Sequence, residues 1–241
     1  MKPLIGAIWV YLAASPLLWL TVTLLAYLAA FWLYRRSRFN PFVNPVLIAV
    51  AFISALLLAT KTPYPTYFEG AKFIHFLIGP ATVALAVPLF AQMQRLKSLW
   101  LPLTIALVVG SLAAIVSGVA IAWAMGASHE ISLSLAPKSA TMPIAMGVSE
   151  KIGGVPALAA VAVAITGISG AIMARGLLNL LRVEDDAARG FATGLVAHAI
   201  GTARALTRSE TAGAFSALAM GLNGVATAIL APLAVKLMGI G

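Results

Sequence analysis

The chain has 241 residues, 61% hydrophobic and only 10% charged, with net charge +9 and mean hydropathy +1.00. Soluble domains run nearer to about 45–50% apolar and about 25% charged, so a water-soluble fold is excluded and lipid is the solvent for most of the surface. Without cysteine there are no disulfides, no thiolate catalysis and no Cys-bound metal. The positive charge then reads as loop Lys and Arg that set membrane orientation, not as a nucleic-acid surface.

Apolar runs follow one another along the whole chain, separated by short polar punctuation. Residues 1–14 carry one Lys and no small-residue cleavage site, and are read as mature chain rather than a cleaved signal. Residues 16–34 form the first span, ended by Arg35, Arg36 and Arg38, and 43–60 the second. Residues 72–93 are long enough to span but are interrupted at Gly79-Pro80 and Pro88. Residues 99–125 are a clean span. The run 133–149 is short and holds Pro137, Lys138 and Pro143. Residues 155–181 are a strong span, 187–206 carry His198 and Arg204 at membrane depth, and 212–238 close the chain.

Charge decides how 133–149 is treated. If every run crosses, seven loop cations fall on each side; if 133–149 dips in and returns, nine fall inside and five outside. The expected fold is therefore an all-α polytopic membrane protein with about 7–8 transmembrane segments and one re-entrant segment, forming a single membrane domain over 1–241. In that topology 72–93 runs opposite to 187–206 and 99–125 opposite to 212–238. The expectation is an inverted repeat, with halves of about 16–126 and 130–238 and two broken helices meeting near the midplane. The glycines 110, 118 and 126 on one helix, and Gly167 and Gly170 on another, permit close packing.

Two segments break the local rules, and that is where function is expected. In the first, Pro137 and Pro143 disrupt helix continuity, and backbone freed in lipid is tolerated where it lines a polar cavity. Lys138, Ser139 and Thr141 are the groups such a cavity uses for an anion; the plainer reading has Lys138 snorkelling and Ser139 capping a helix. In the second, His198 and Thr202 share a helical face, and Gly201 lets the backbone open beside them. Arg204 needs a bound anion or a partner such as Glu210. Pro80 is a further helix break. Asn44, His75 and Thr82 are weaker candidates, with ordinary cap or core roles. The three histidines show no metal spacing, no Ser–His–Asp set can be built, and phosphate-binding loops are absent, so neither an enzyme nor a cofactor is expected.

The lines SLAPKSATMPIAMGVSEKIGGVPALAAVAVAITGISGAI and ARGFATGLVAHAIGTARAL, with NPVLIA, YFEGAKFIHFLIGPATVALAVPLF and WAMGAS upstream, resemble the LrgB/CidB family of bacterial membrane proteins. The resemblance covers about 44–232. It implies a multi-pass protein of the bacterial cytoplasmic membrane and two functions: an antiholin-like modulator of murein hydrolase export and autolysis, or a carrier, since chloroplast glycolate/glycerate carriers join an LrgA-like to an LrgB-like half. It also implies an LrgA/CidA-type membrane partner, and the small residues on helix faces suggest a homodimer. The residues favour a secondary transporter of small carboxylates of the glycolate, glycerate, pyruvate or lactate type. Lys138 and Arg204 supply cationic groups, Ser139, Thr141 and Thr202 supply hydroxyls, and His198 supplies a proton relay.

Overall fold

The computed structural model describes residues 15–40 and 42–239, and all regular structure among them is helical. The reading of residues 1–14 as mature chain lies outside the described residues. The chain divides into two compact units, Met1–Ala84 and Leu85–Gly241.

The first unit holds α1 (Pro16–Arg36), α2 (Pro45–Thr60), α3 (Tyr64–Phe76) and α4 (Ile78–Ala84). Proline opens α1 and α2 at a first-turn position, where its missing N–H is no loss. Gly70 on α3 lets the backbone of α1 approach, since a Cβ there would stand 2.8 Å from Leu20 N. Buried Trp19 meets Tyr67 edge-on at 5.9 Å, which fixes the same pair of helices.

The second unit holds α5 (Ala86–Ala91), α6 (Met93–Ser98), α7 (Trp100–Ala124), α8 (His129–Leu135), α9 (Met142–Lys151), α10 (Pro156–Leu180), α11 (Asp186–Leu206) and α12 (Glu210–Leu237). The interruptions expected at Pro80 and Pro88 fall at Leu77 and Leu85, because each proline sits in the first turn of the helix that restarts before it.

Two segments of this unit double back. After α8 a turn over 136–140 leads to α9, and the chain leaving α9 returns to its start. The Val155 N–H donates to Ser134 Oγ at 2.7 Å, and a Cβ on Gly154 would stand 2.8 Å from Ser134 N. The ten residues of α9 rise about 15 Å, half of a hydrocarbon core of about 30 Å.

The second doubling back is α11. His198 at φ 41°, ψ −131° breaks it into arms 186–197 and 199–206. A Cβ on Gly201 would stand 2.8 Å from the carbonyl oxygen of Thr193, eight residues earlier; in a continuous helix that separation is about 12 Å. Gly190 and Gly194 on the outgoing arm press on the backbones of Ala212 and Ser216, so this arm runs parallel to α12. On the returning arm Leu206 meets Gly213 and Thr202 meets Ser216, an antiparallel order. The expectation that 187–206 crosses is thus corrected: its base closes where Arg208 Nε meets Asp186 Oδ1 at 2.6 Å.

The cores place the two hairpins at opposite ends of the unit. Ala187, Phe191 and Leu195 pack with Leu103 and Leu107 of α7 and Phe215 and Ala219 of α12. Leu133, Ala136 and Val148 pack with Ile115 and Val119 of α7 and Ala231 and Ala234 of α12. So α7 and α12 run parallel, with one hairpin at each end, which corrects the expectation that 99–125 runs opposite to 212–238.

Five helical runs among the described residues are long and apolar enough to cross a membrane: Pro16–Arg36, Tyr64–Ala91, Trp100–Ala124, Pro156–Leu180 and Glu210–Leu237. Pro45–Thr60 is apolar but shorter, at 16 residues. Of the eight apolar runs in the sequence, 133–149 turns back as expected, 187–206 turns back against expectation, and Pro45–Thr60 is shorter than the rest, which leaves these five.

Candidate functional site

The hairpin tips converge on the middle of α12. Buried Asn223 uses its whole amide there: Nδ2 donates to the Ser139 carbonyl at 2.9 Å, on the first tip, and to the Leu195 carbonyl at 2.9 Å, just before the second. Its Oδ1 accepts from buried Ser111 Oγ of α7 at 2.7 Å and, at 3.5 Å, from Thr227 Oγ1. The two carbonyls can only accept, so the network fixes which side of the amide is nitrogen.

At the first tip, Lys138 Nζ donates to the Ala114 carbonyl of α7, one turn from Ser111. Gly118 makes room for it, since a Cβ there would stand 3.2 Å from Lys138 Cε. Among the described residues no carboxylate pairs with Lys138. Ser139 Oγ is buried and has no hydrogen-bond partner. Thr141 is the N-cap of α9 without a side-chain capping bond, so that helix presents free amides near the tip. Pro137 lies in the turn and Pro143 in the first turn of α9, both where a missing N–H is tolerated.

At the second tip, buried His198 Nε2 lies 3.0 Å from the Val163 carbonyl of α10, so Nε2 carries the hydrogen. Gly167 and Gly170 seat this tip: a Cβ on Gly167 would stand 2.7 Å from His198 Nε2, and one on Gly170 2.8 Å from Ala197 Cβ. Thr202 Oγ1 donates to the His198 carbonyl at 2.9 Å and accepts from Ser216 Oγ at 3.0 Å. The break expected at Gly201 falls at His198, and Gly201 instead lets the arms touch.

The structure therefore gathers Lys138 and Ser139 on one tip and His198 and Thr202 on the other. Arg204 stands half-buried on the returning arm, about 9 Å of helix rise beyond the tip toward the base. Glu210 is exposed in the first turn of α12, where its charge favours the helix N-terminus. Asn44, His75 and Thr82 belong to the first unit. Asn44 caps α2, accepting from Val46 N at 2.9 Å; exposed His75 stacks edge-on with Phe68; Thr82 bonds to the Ile78 carbonyl. Sequence reasoning missed Asn223, Ser111 and Ser216. Their signal was an uncharged polar side chain inside an apolar span.

The loop between α10 and α11 is tied down by ionic contacts. Buried Arg189 donates to the Val183 carbonyl at 2.7 Å and Asn179 Oδ1 at 2.8 Å, and Arg95 pairs with Asp185. Hydrogen bonds from Ser209 and then Arg208 hold the Asp186 carboxyl below its usual range. Among the described residues, no group of three His, Asp or Glu could hold a metal ion.

The sequence pattern of the LrgB-like family matches residues 23–237. The chain belongs to the LrgB-like family. It is 38% identical to the uncharacterized protein YxaC of Bacillus subtilis over 91% of this chain and 95% of that one. It is 37% identical to an uncharacterized protein of Haemophilus influenzae, over 86% and 91%. It is 31% identical to the antiholin-like protein LrgB of Bacillus mycoides, over 93% and 98%. No solved structure matches the chain. The LrgB-like chain is thus an all-helical membrane protein whose family match spans both units.

Proposed function

We propose that this LrgB-like protein is a secondary carrier of small carboxylates of the glycolate, glycerate, pyruvate or lactate type in the bacterial cytoplasmic membrane. The observation that carries the reading is the meeting of two helical hairpins, from opposite ends of one unit, around the buried amide of Asn223. Irregular backbone at membrane depth is tolerated where it lines a site, and hairpins entering from opposite sides give alternating access to one. Lys138 supplies a cation without a carboxylate partner, and Ser139 a hydroxyl without one, as an anion site requires.

The inverted repeat is reassigned from the halves 16–126 and 130–238 to the two hairpins with the long helix that follows each, 129–180 and 186–237. Ser149-Glu150, Gly153 and Ala157-Leu158-Ala159 recur sixty positions later as Ser209-Glu210, Gly213 and Ala217-Leu218-Ala219. In both copies they join the end of a hairpin to the next long helix. Arg95, Lys97, Arg175, Arg182, Arg189 and Arg208 gather at the end bearing the second hairpin, and Lys151 and Lys236 at the other. Positive-inside orientation makes the first end cytoplasmic, so the first hairpin enters from outside.

The name antiholin-like protein LrgB carried by relatives favours a second, antiholin-like reading, which the family resemblance extends to modulation of autolysis with an LrgA/CidA-type partner. Uptake of labelled glycolate, glycerate, pyruvate and lactate into liposomes holding the purified chain separates the two. Saturable uptake that Lys138→Ala abolishes supports the carrier. No uptake of any of the four, alone or with an LrgA-type partner, leaves the lysis reading in its place.

A further inference from the structure

We infer that Asn223 is the residue that couples the two hairpins to the substrate: its amide latches both tips, and the substrate carboxylate takes over the N–H that Ser139 O holds, releasing the first hairpin while the second stays tied. The anion in this inference is the one proposed above, and the coupling rests on that reading.

The two hydrogens of an amide nitrogen diverge in one plane, so one can serve each hairpin. Both are in use, at 2.9 Å to Ser139 O and 2.9 Å to Leu195 O. Ser111 Oγ at 2.7 Å holds the amide oxygen, so the plane cannot turn without breaking a third bond. No other type of side chain of that size gives two donors and an acceptor. Either hairpin can leave only by stranding a buried carbonyl and a buried N–H. The loss of one such bond shifts the open-to-closed ratio by about tenfold.

The two latch points differ. The residues flanking Leu195, Gly194 and Val196, carry no polar side chain, and the polar groups of that tip are already engaged, His198 Nε2 with Val163 O and Thr202 Oγ1 with the His198 carbonyl and Ser216. The first tip carries the Ser139 hydroxyl, buried without a hydrogen-bond partner, and the adjacent Lys138, whose ammonium donates to the neutral Ala114 carbonyl. A carboxylate arriving there meets a cation and a hydroxyl, and it is a stronger acceptor for the Asn223 N–H than the peptide carbonyl it displaces. The latch therefore opens on the first hairpin.

The chain has no cysteine, so single reporters can be placed cleanly. Ala140→Cys reports the first tip, Ala197→Cys the second, and Ala30→Cys, in α1 of the first unit, which holds neither hairpin, reports global unfolding; all three sites are buried. Rates of labelling by a membrane-permeant maleimide are measured in proteoliposomes with and without glycolate, and glycolate uptake is followed in the same vesicles. Asn223→Leu is expected to raise labelling at both tips about tenfold and to leave position 30 unchanged. With Asn223 intact, glycolate is expected to raise labelling at 140 but not at 197, and Asn223→Leu to erase that response. If Asn223→Leu exposes position 30 as well, Ser111→Ala decides, since it keeps both latch bonds but frees the amide to turn; a smaller rise at both tips is expected. A change at one tip alone, or at neither, overturns the latch. Saturable uptake without a glycolate response at 140 overturns the inference and leaves the carrier standing. Absence of uptake with both tips still loosened by Asn223→Leu removes the carrier and the exchange and leaves the latch.

Discussion

Arg208 and Asp186 lie 2.6 Å apart although the whole of α11 stands between them. The contact exists because the helix turns back at His198, and Ser209 Oγ reinforces it at 2.7 Å from the other carboxylate oxygen. Bonding to the ionised form depresses the folded-state pKa of Asp186, with Ser209 the larger cause and Arg208 next. A depressed carboxyl stabilises the fold fully above its unfolded value of about 4 and loses that contribution as pH falls through the folded value. Asp186→Asn should therefore lower the melting temperature at pH 7, by the equivalent of under about 1 kcal/mol for so open a site. The difference from the parent should shrink in acid. A gap that stays constant down to the acid limit would show that the carboxylate charge is not what holds the base.

Glycines of the second unit divide into tight and open positions. A Cβ on Gly194 would stand 2.7 Å from the Ser216 backbone, which cannot yield, whereas Gly176 of α10 faces open space. Gly194→Ala should destabilise by about 1–3 kcal/mol through overpacking. Gly176→Ala should be neutral or gain up to about 1 kcal/mol from backbone entropy. Thermal unfolding in one detergent compares them; equal effects would mean the outgoing arm does not rest on α12.

The apolar runs, the prolines and the family motifs made the membrane class and the first hairpin legible in the sequence. Pro137 and Pro143 interrupt a run already short for a crossing, and the loop-charge count of nine against five then favours 133–149 dipping back. Nothing comparable marks the second hairpin. Residues 187–206 carry no proline, and an apolar run of that length reads as a crossing. Its reversal depends on tertiary seats distant in sequence: Gly167 and Gly170 under the tip, Val163 O for His198, and Arg208 for Asp186. The site was half legible for a similar reason. Lys138 and His198 stand out as charged or titratable groups in apolar runs, but Asn223 and Ser111 gain meaning only when two backbone carbonyls are brought against the amide.

His198 holds a backbone conformation that favours glycine, with φ at 41°. Two substitutions separate strain from bonding. His198→Ala keeps the strained φ and loses the bond to Val163 O, while His198→Gly loses the same bond and relieves the strain. The glycine variant should be the more stable of the two by about 1–3 kcal/mol. The reverse order in thermal unfolding would show that the tip does not adopt this conformation.

Gly118 offers a way to move the Lys138 ammonium without removing its charge. A Cβ at 118 would stand 2.5 Å from Nζ and 3.2 Å from Cε. Both atoms are the far end of a flexible side chain, so Gly118→Ala displaces the ammonium from Ala114 O at little cost to the fold. Melting should shift by no more than a few degrees, since about 1 kcal/mol corresponds to roughly 2–4 °C at this size. If Lys138 receives the substrate carboxylate, the KM for glycolate uptake should rise several-fold, and Lys138→Met should go further by abolishing uptake. If Lys138 only snorkels toward the membrane surface, the alanine at 118 leaves both KM and maximal rate unchanged. An intact melting profile with a raised KM would place the ammonium in the site, because a packing defect alone would lower stability and leave substrate affinity untouched.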